Sequence, residues 1–132
     1  LRIKFRGLDR VELKEWSKGS LSDIGTVKIL HSYRQYEREE VALVRMIAGA
    51  FEALPHVEKF LSKELMIELS KGIGADVLSD KAVQTFPLLT ERKQEYLETL
   101  GINDRLEMLL ADMEKEKRMS EVEQKIKRSK NV

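Results

Sequence analysis

The side chains able to do chemistry in this sequence are scattered rather than convergent. His31 and His56 are its two histidines. Neither stands in an H-x-x-x-H or H-E-x-x-H pair, the spacing that sets metal ligands on one helix face. A metal site would need distant carboxylates to converge on one imidazole, so both histidines read as ordinary polar residues at element boundaries. There is no cysteine, which removes thiolate nucleophiles, Cys-ligated zinc and disulfides, and fits a reducing compartment. No serine lies in a G-x-S-x-G elbow. Lys71-Gly72-Ile73-Gly74 lacks the spacing and the preceding strand of a phosphate-binding loop. It reads instead as a helix C-cap and a turn. Glu91 with Glu95, and Glu107 with Glu114, have the right type for an acid and a base. They lie among Lys and Arg on helical segments, where carboxylates serve as solvated partners at i, i+4. The sequence therefore assigns no catalytic, cofactor-binding or metal-binding residue.

Binding is better represented than catalysis. The strongest local charge bias is Lys125-Ile126-Lys127-Arg128-Ser129-Lys130. It could touch phosphates only weakly, because no aromatic interleaves it to stack bases, and cations also suit a helix C-terminus. Met46, Met66, Met108, Met113 and Met119 fall on helical segments, where core packing is the first expectation. Exposed members beside Trp16, Phe51 or Phe60 would form a patch that binds other polypeptides. Met119, Val122 and Ile126 have little local core to join. Together with Phe51, Phe60 and Met66 they are the candidate protein-contact residues.

The elements that must position these residues follow from length and periodicity. A chain of 132 residues makes one domain, or one small domain with an appendage. Hydrophobic content of 42% supports a core, while 36% charged and 6% aromatic residues suit surface-rich helices. The net charge of +1 argues against nucleic-acid binding by bulk charge. No apolar run approaches the roughly 18 residues that cross a bilayer. Leu1 to Arg6 is not a signal peptide.

Leu1, Ile3 and Phe5 alternate with Arg2, Lys4 and Arg6, the period of a half-buried strand. Val11 and Leu13 resume it after Gly7. A loop is expected at 17–20 and a further short strand at 26–30. So few strands do not fold alone. The chain also opens already inside a strand, which implies that it is an excised piece with strands missing upstream.

From Glu37 the period becomes helical: Val44, Ile47, Ala48, Phe51 and Leu54 form one stripe, with Val41 and Leu43 at its edge. Pro55 should kink or end that helix. Ser62 is a natural N-cap for a helix carrying Leu65, Met66 and Leu69. Leu78, Ala82 and Phe86 mark another, stopped before Pro87. Thr90 should cap the next helix, and Gly101 should supply a left-handed residue after its end at Leu100. Asn103 should cap a last, long helix that docks through Leu106, Leu109, Leu110 and Met113. The layout is α+β, predominantly α. It divides into strands and linker over 1–36, a helical bundle over 37–114, and a projecting helix over 115–132.

Several strings, in order along the chain, resemble one family. Lys93-Gln94-Glu95-Tyr96-Leu97-Glu98, Arg105-Leu106-Glu107-Met108-Leu109-Leu110 and Glu123-Gln124-Lys125-Ile126 are similar to the K-Q-x-x-L-E, R-L-E-x-L-L and E-x-K-I runs of Lon protease N-terminal regions. Gly7-Leu8-Asp9-Arg10-Val11 resembles the family's G-L-x-R, and Glu40 to Arg45 its A-L-V-R helix start. The sequence departs from the family at Pro55, within what is usually continuous helix, and at Ser62-Lys63-Glu64, where a Pro-rich start is common.

The resemblance implies the last strands of a PUA-like β-domain, then a helical bundle ending in a long projecting helix. It also implies a non-catalytic recognition and assembly region that binds unfolded or damaged proteins and other subunits of a homohexamer. That hexamer would be an ATP-dependent serine protease of the bacterial cytoplasm, with the mitochondrial matrix as the lesser alternative, and with no membrane contact. ATP, Mg and the Ser-Lys catalytic pair would be held by other modules, so no cofactor is expected here. The alternative is a helical protein-interaction scaffold with no link to proteolysis.

Overall fold

Val11 and Leu13 alternate with charged neighbours because they lie on the first of two antiparallel strands, β1 (Arg10–Lys18) and β2 (Asp23–Leu30). The computed structural model describes residues 7–19 and 21–130. The alternation at Leu1, Ile3 and Phe5, and Ser20 of the expected loop, lie outside the described residues. Ser17 and Lys18, expected in the loop, belong to β1, where pairing with Ile24 and Asp23 engages their backbone groups.

The register places Val11 opposite Ile29, Leu13 opposite Val27 and Trp16 opposite Gly25. It shifts between Leu13 and Glu15, so Lys14 is the extra residue of a β-bulge. Without this bulge, Trp16, an odd number of residues from both, would point away from Val11 and Leu13. With it, all three share a face with Val27 and Ile29. The five side chains of this face remain about half exposed.

The described chain falls into two units, the first ending at Ser32 and the second beginning at Tyr33. The second is built from α1 (Glu37–Ala53), α2 (Lys63–Lys71), α3 (Ala75–Thr85), α4 (Thr90–Glu98) and α5 (Ile102–Lys130). The order of strands followed by helices is α+β, mainly α. On α1, Ile47 and Phe51 are buried, as is Leu54 just past its end, whereas Val41 stays exposed. Pro55 ends the helix: Leu54 is already extended at φ −73°, ψ 129°, as a residue before proline prefers. The chain then reverses through His56, at φ +56°, and a short 3-10 turn, Val57–Lys59, that periodicity does not signal. Ser62 Oγ accepts the Leu65 amide at 3.1 Å and caps α2, and Gly72, at φ +89°, closes it. α3 stops with Phe86 extended ahead of Pro87.

Three expected boundary residues take other roles. Thr90 is the first residue of α4, and Leu89 occupies the cap position without a side-chain bond. Asn103 lies inside α5, buried, donating its Nδ2 to the Tyr36 carbonyl at 3.1 Å. Its capping work falls to Gln35, far away in sequence. The Oε1 of Gln35 accepts the Asp104 amide and its Nε2 donates to Asp104 Oδ2, each at 3.1 Å. Gly101 does not close a helix, since α4 ends at Glu98, and its φ is not positive. It pairs with Tyr33 in a parallel bridge. A Cβ there would stand 2.6 Å from Gln35 Oε1, so a larger residue would have to displace the Gln35 side chain from its capping position.

The core lies where α1 and α3 pack on the first half of α5. Ile47, Leu78, Ala82, Leu106 and Leu109 are completely buried there. No described residue beyond Met113 is buried. The helix continues as a solvent-facing rod, because its sequence past Lys115 offers single apolar residues among charges.

Candidate functional site

The stop at Pro55 and the return of the chain through α2 leave a pocket of about 150 Å³ between α1 and α2. Phe51 and Leu61, both buried, form part of its wall, with Val57 from the turn. Met66 and Leu69 of α2 close one side. Ala48 on α1 and Ser70 on α2 are small, which leaves the space open. Glu52 is the one charged residue in the lining. It is exposed and has no ion pair among the described residues.

Behind this pocket the aromatics interlock. Phe86 meets Phe51 edge-on at 6.0 Å between centroids and stacks on Phe60 at 5.3 Å. Thr85 Oγ1 donates to the Phe60 carbonyl and ties α3 to the turn. Lys81 Nζ reaches Glu68 at 2.7 Å, joining α3 to α2.

A second, wider groove of about 660 Å³ runs between the 86–89 segment, α4 and the middle of α5. Its lining mixes Leu88, Leu89 and Met119 with Glu91, Arg92 and Lys115. At its inner edge lies a polar cluster around buried Tyr96 and Asp112. Asp112 Oδ2 accepts from Tyr96 OH at 2.6 Å and from Arg92 Nε at 2.9 Å, while Arg92 also bonds Glu95 at 2.7 Å. The guanidinium lies 5.5 Å from the centre of the Tyr96 ring. The bonds to Asp112 and Glu95 hold Arg92 above its ordinary value, so it stays charged. Burial, and then the Asp112 carboxylate, push the Tyr96 phenol well above its ordinary value.

This shift carries a pH dependence with a defined sign. Above about pH 10 the unfolded chain releases the tyrosine proton while the folded chain keeps it. The unfolded state then binds fewer protons, so stability falls as pH rises through that range. Urea titrations between pH 9 and pH 11 should show the midpoint dropping, and Tyr96→Phe should flatten the drop. Equal slopes in both proteins would show that Tyr96 is not the group responsible.

The candidate contact residues separate into two groups. Phe51 presents no outer surface, since it is 2% exposed and forms pocket wall. Phe60 is half-buried against Phe86, and Met66 is exposed at the pocket edge. Met119 borders the wider groove, and Val122 and Ile126 continue its stripe along α5 in solvent. The expectation that the methionines are core holds for Met113 alone among the fully buried positions, with Met108 half-buried. Met46, Met66 and Met119 are exposed because they fall outside their helices' inward stripes. Glu52, Val57 and Leu61 are pocket residues that the sequence does not single out, and Ala48 is marked there only as part of the α1 stripe. The available signal is the small residue at 48 opposite the helix that follows Pro55. His56 is exposed with its Nδ1 3.7 Å from Glu58, and Lys127, Arg128 and Lys130 occupy the last turn of α5. Among the described residues no group of three His, Asp or Glu could hold a metal ion, and no helix is long and apolar enough to cross a membrane.

The strand pair and the helices that follow it in sequence fall within the reach of one family model. The family model for the ATP-dependent protease La (LON) substrate-binding domain matches residues 1–115. The chain belongs to this family. Relatives of the Lon domain agree over nearly its whole length. Lon protease of Buchnera aphidicola subsp. Acyrthosiphon pisum is 28% identical over 127 residues, and that of Escherichia coli (strain K12) 29% over 127. Lon protease 1 of Hydrogenovibrio crunogenus is 31% identical over 126. Each alignment covers 96% of this chain but only 16% of the relative. The resemblance noted in the strings from Gly7 to Leu110 is thus that of a substrate-binding domain, while the string from Glu123 to Ile126 lies beyond the residues the family model matches.

Proposed function

We propose that this chain is the non-catalytic recognition region of a Lon-type ATP-dependent protease, binding unfolded or damaged proteins for delivery to ATPase and protease modules. The family match over residues 1–115 carries the reading. The exposed apolar side chains of the bundle, Met46, Met66 and Ile67 among them, support it physically. Unfolded segments offer apolar side chains that a folded partner hides, and burying them against such a surface is favourable. Each contact is weak, and several copies acting on one chain gain by making later contacts intramolecular. The distal half of α5, through Met119, Val122 and Ile126, would meet neighbouring subunits in a cytoplasmic hexamer.

The test is fluorescence anisotropy of this chain titrated with one protein in native and unfolded forms, at low and moderate salt. Preferential, salt-tolerant binding of the unfolded form is the expected result. Absence of binding to either form would remove recognition from these residues and leave spacing and assembly as their role.

A further inference from the structure

We infer that the pocket between α1 and α2 is a subsite for one apolar side chain of an unfolded segment, and that Glu52 makes it select a chain with a basic residue beside that side chain. This rests on the recognition reading and names the substrate class for one site. Size sets the first half. A cavity of about 150 Å³ lined by apolar side chains takes a single benzene-sized group. The pocket here has that volume, and its lining of Phe51, Val57, Leu61, Met66 and Leu69 is apolar. A phenylalanine ring fits, while two neighbouring large side chains of an extended chain cannot enter together, since they point to opposite sides.

Charge sets the second half. Glu52 is the pocket's one ionisable lining residue, it is exposed, and no described cation pairs with it. An extended chain advances about 3.3 Å per residue. With its ring seated, a peptide therefore carries the neighbouring residue past the rim, within reach of a long side chain. A lysine there lays its methylene stem on apolar surface and brings its ammonium to the carboxylate. A glutamate in the same place meets a like charge. Exposed pairs contribute modestly, so the discrimination expected is about threefold to fivefold, not orders of magnitude. It should shrink as salt shortens the Debye length from about 10 Å at 0.1 M to about 3 Å at 1 M.

The experiment uses this whole chain and short fluorescein-labelled Gly-Ser peptides carrying one Phe flanked by Lys, by Glu or by Ser. A matching set has Ser in place of Phe. The expected order of affinity is Lys-flanked, then Ser-flanked, then Glu-flanked, with the Phe-free set weaker throughout. Glu52→Lys, an exposed substitution that leaves the core untouched, should invert the Lys-to-Glu ratio. Ala48→Leu, which fills the pocket, should erase the advantage of Phe over Ser. Peptide binding with a ratio unmoved by Glu52→Lys would overturn the inference and leave the recognition reading standing. Binding of unfolded protein without binding of any Phe peptide would do the same. If neither binds, both readings fall.

Discussion

Phe86→Ala should lower the stability of the bundle by about 3–5 kcal/mol, the cost of deleting a buried aromatic that its surroundings cannot replace. Phe86 is 2% exposed, and it is the residue at which α3 stops. Its backbone is extended because Pro87 follows, which swings the ring away from the helix and in between Phe51 of α1 and Phe60 of the turn. The edge-on contact with Phe51 and the stacked contact with Phe60 add about 0.5–1.5 kcal/mol each to simple burial. α1, the turn that follows it and α3 thus meet on one ring, and collapse around a methyl group would have to move all of them. Phe86→Leu keeps most of the volume and should cost much less, about 1.5 kcal/mol or below. Urea unfolding followed by far-UV circular dichroism measures both. If alanine costs no more than leucine, the ring contacts do not organise the bundle. Because Phe51 also walls the α1–α2 pocket, peptide affinity should fall in Phe86→Ala even under conditions where the chain remains folded.

Which features the residues disclose by themselves follows from the range of the interactions. Ser62, Pro55 and Pro87 act on their own backbone or on atoms within a few residues, so their effects on α1, α2 and α3 are legible from spacing. Thr90 and Asn103 also have the right side chains for capping. The structure instead satisfies the α5 start with Gln35, whose separation of 69 residues from Asp104 no local pattern contains. Gly101 misleads a local reading for the same reason: its small size answers a contact with Gln35, not a left-handed turn. The bulge at Lys14 hides Trp16 from the alternation, since one inserted residue reverses the parity of all that follow. At the candidate site, Phe51 and Met66 are visible as apolar residues on helices. The pocket they share depends on a reversal through a left-handed His56, which composition does not foretell.

The two halves of α5 should respond oppositely to substitution. Leu109→Ala is expected to cost about 2–5 kcal/mol, since Leu109 is completely buried where α1 and α3 converge and its removal leaves a cavity. Replacing Met119, Val122 and Ile126 together with serine deletes more apolar surface, yet each of these side chains is about half exposed. Surface changes of this kind usually stay within about 0.5 kcal/mol apiece. The unfolding midpoint of the triple variant should therefore stay close to that of the parent, while Leu109→Ala shifts it far down with little change in slope. A large loss in the triple variant would mean that the distal helix packs on the bundle. If stability is retained as expected, the same variant becomes a clean probe of the helix surface, because any change in self-association of a full-length Lon carrying it cannot be charged to unfolding. The helix is thus a core element for its first three turns and a presenting arm thereafter. The boundary falls after Met113, where the buried residues end.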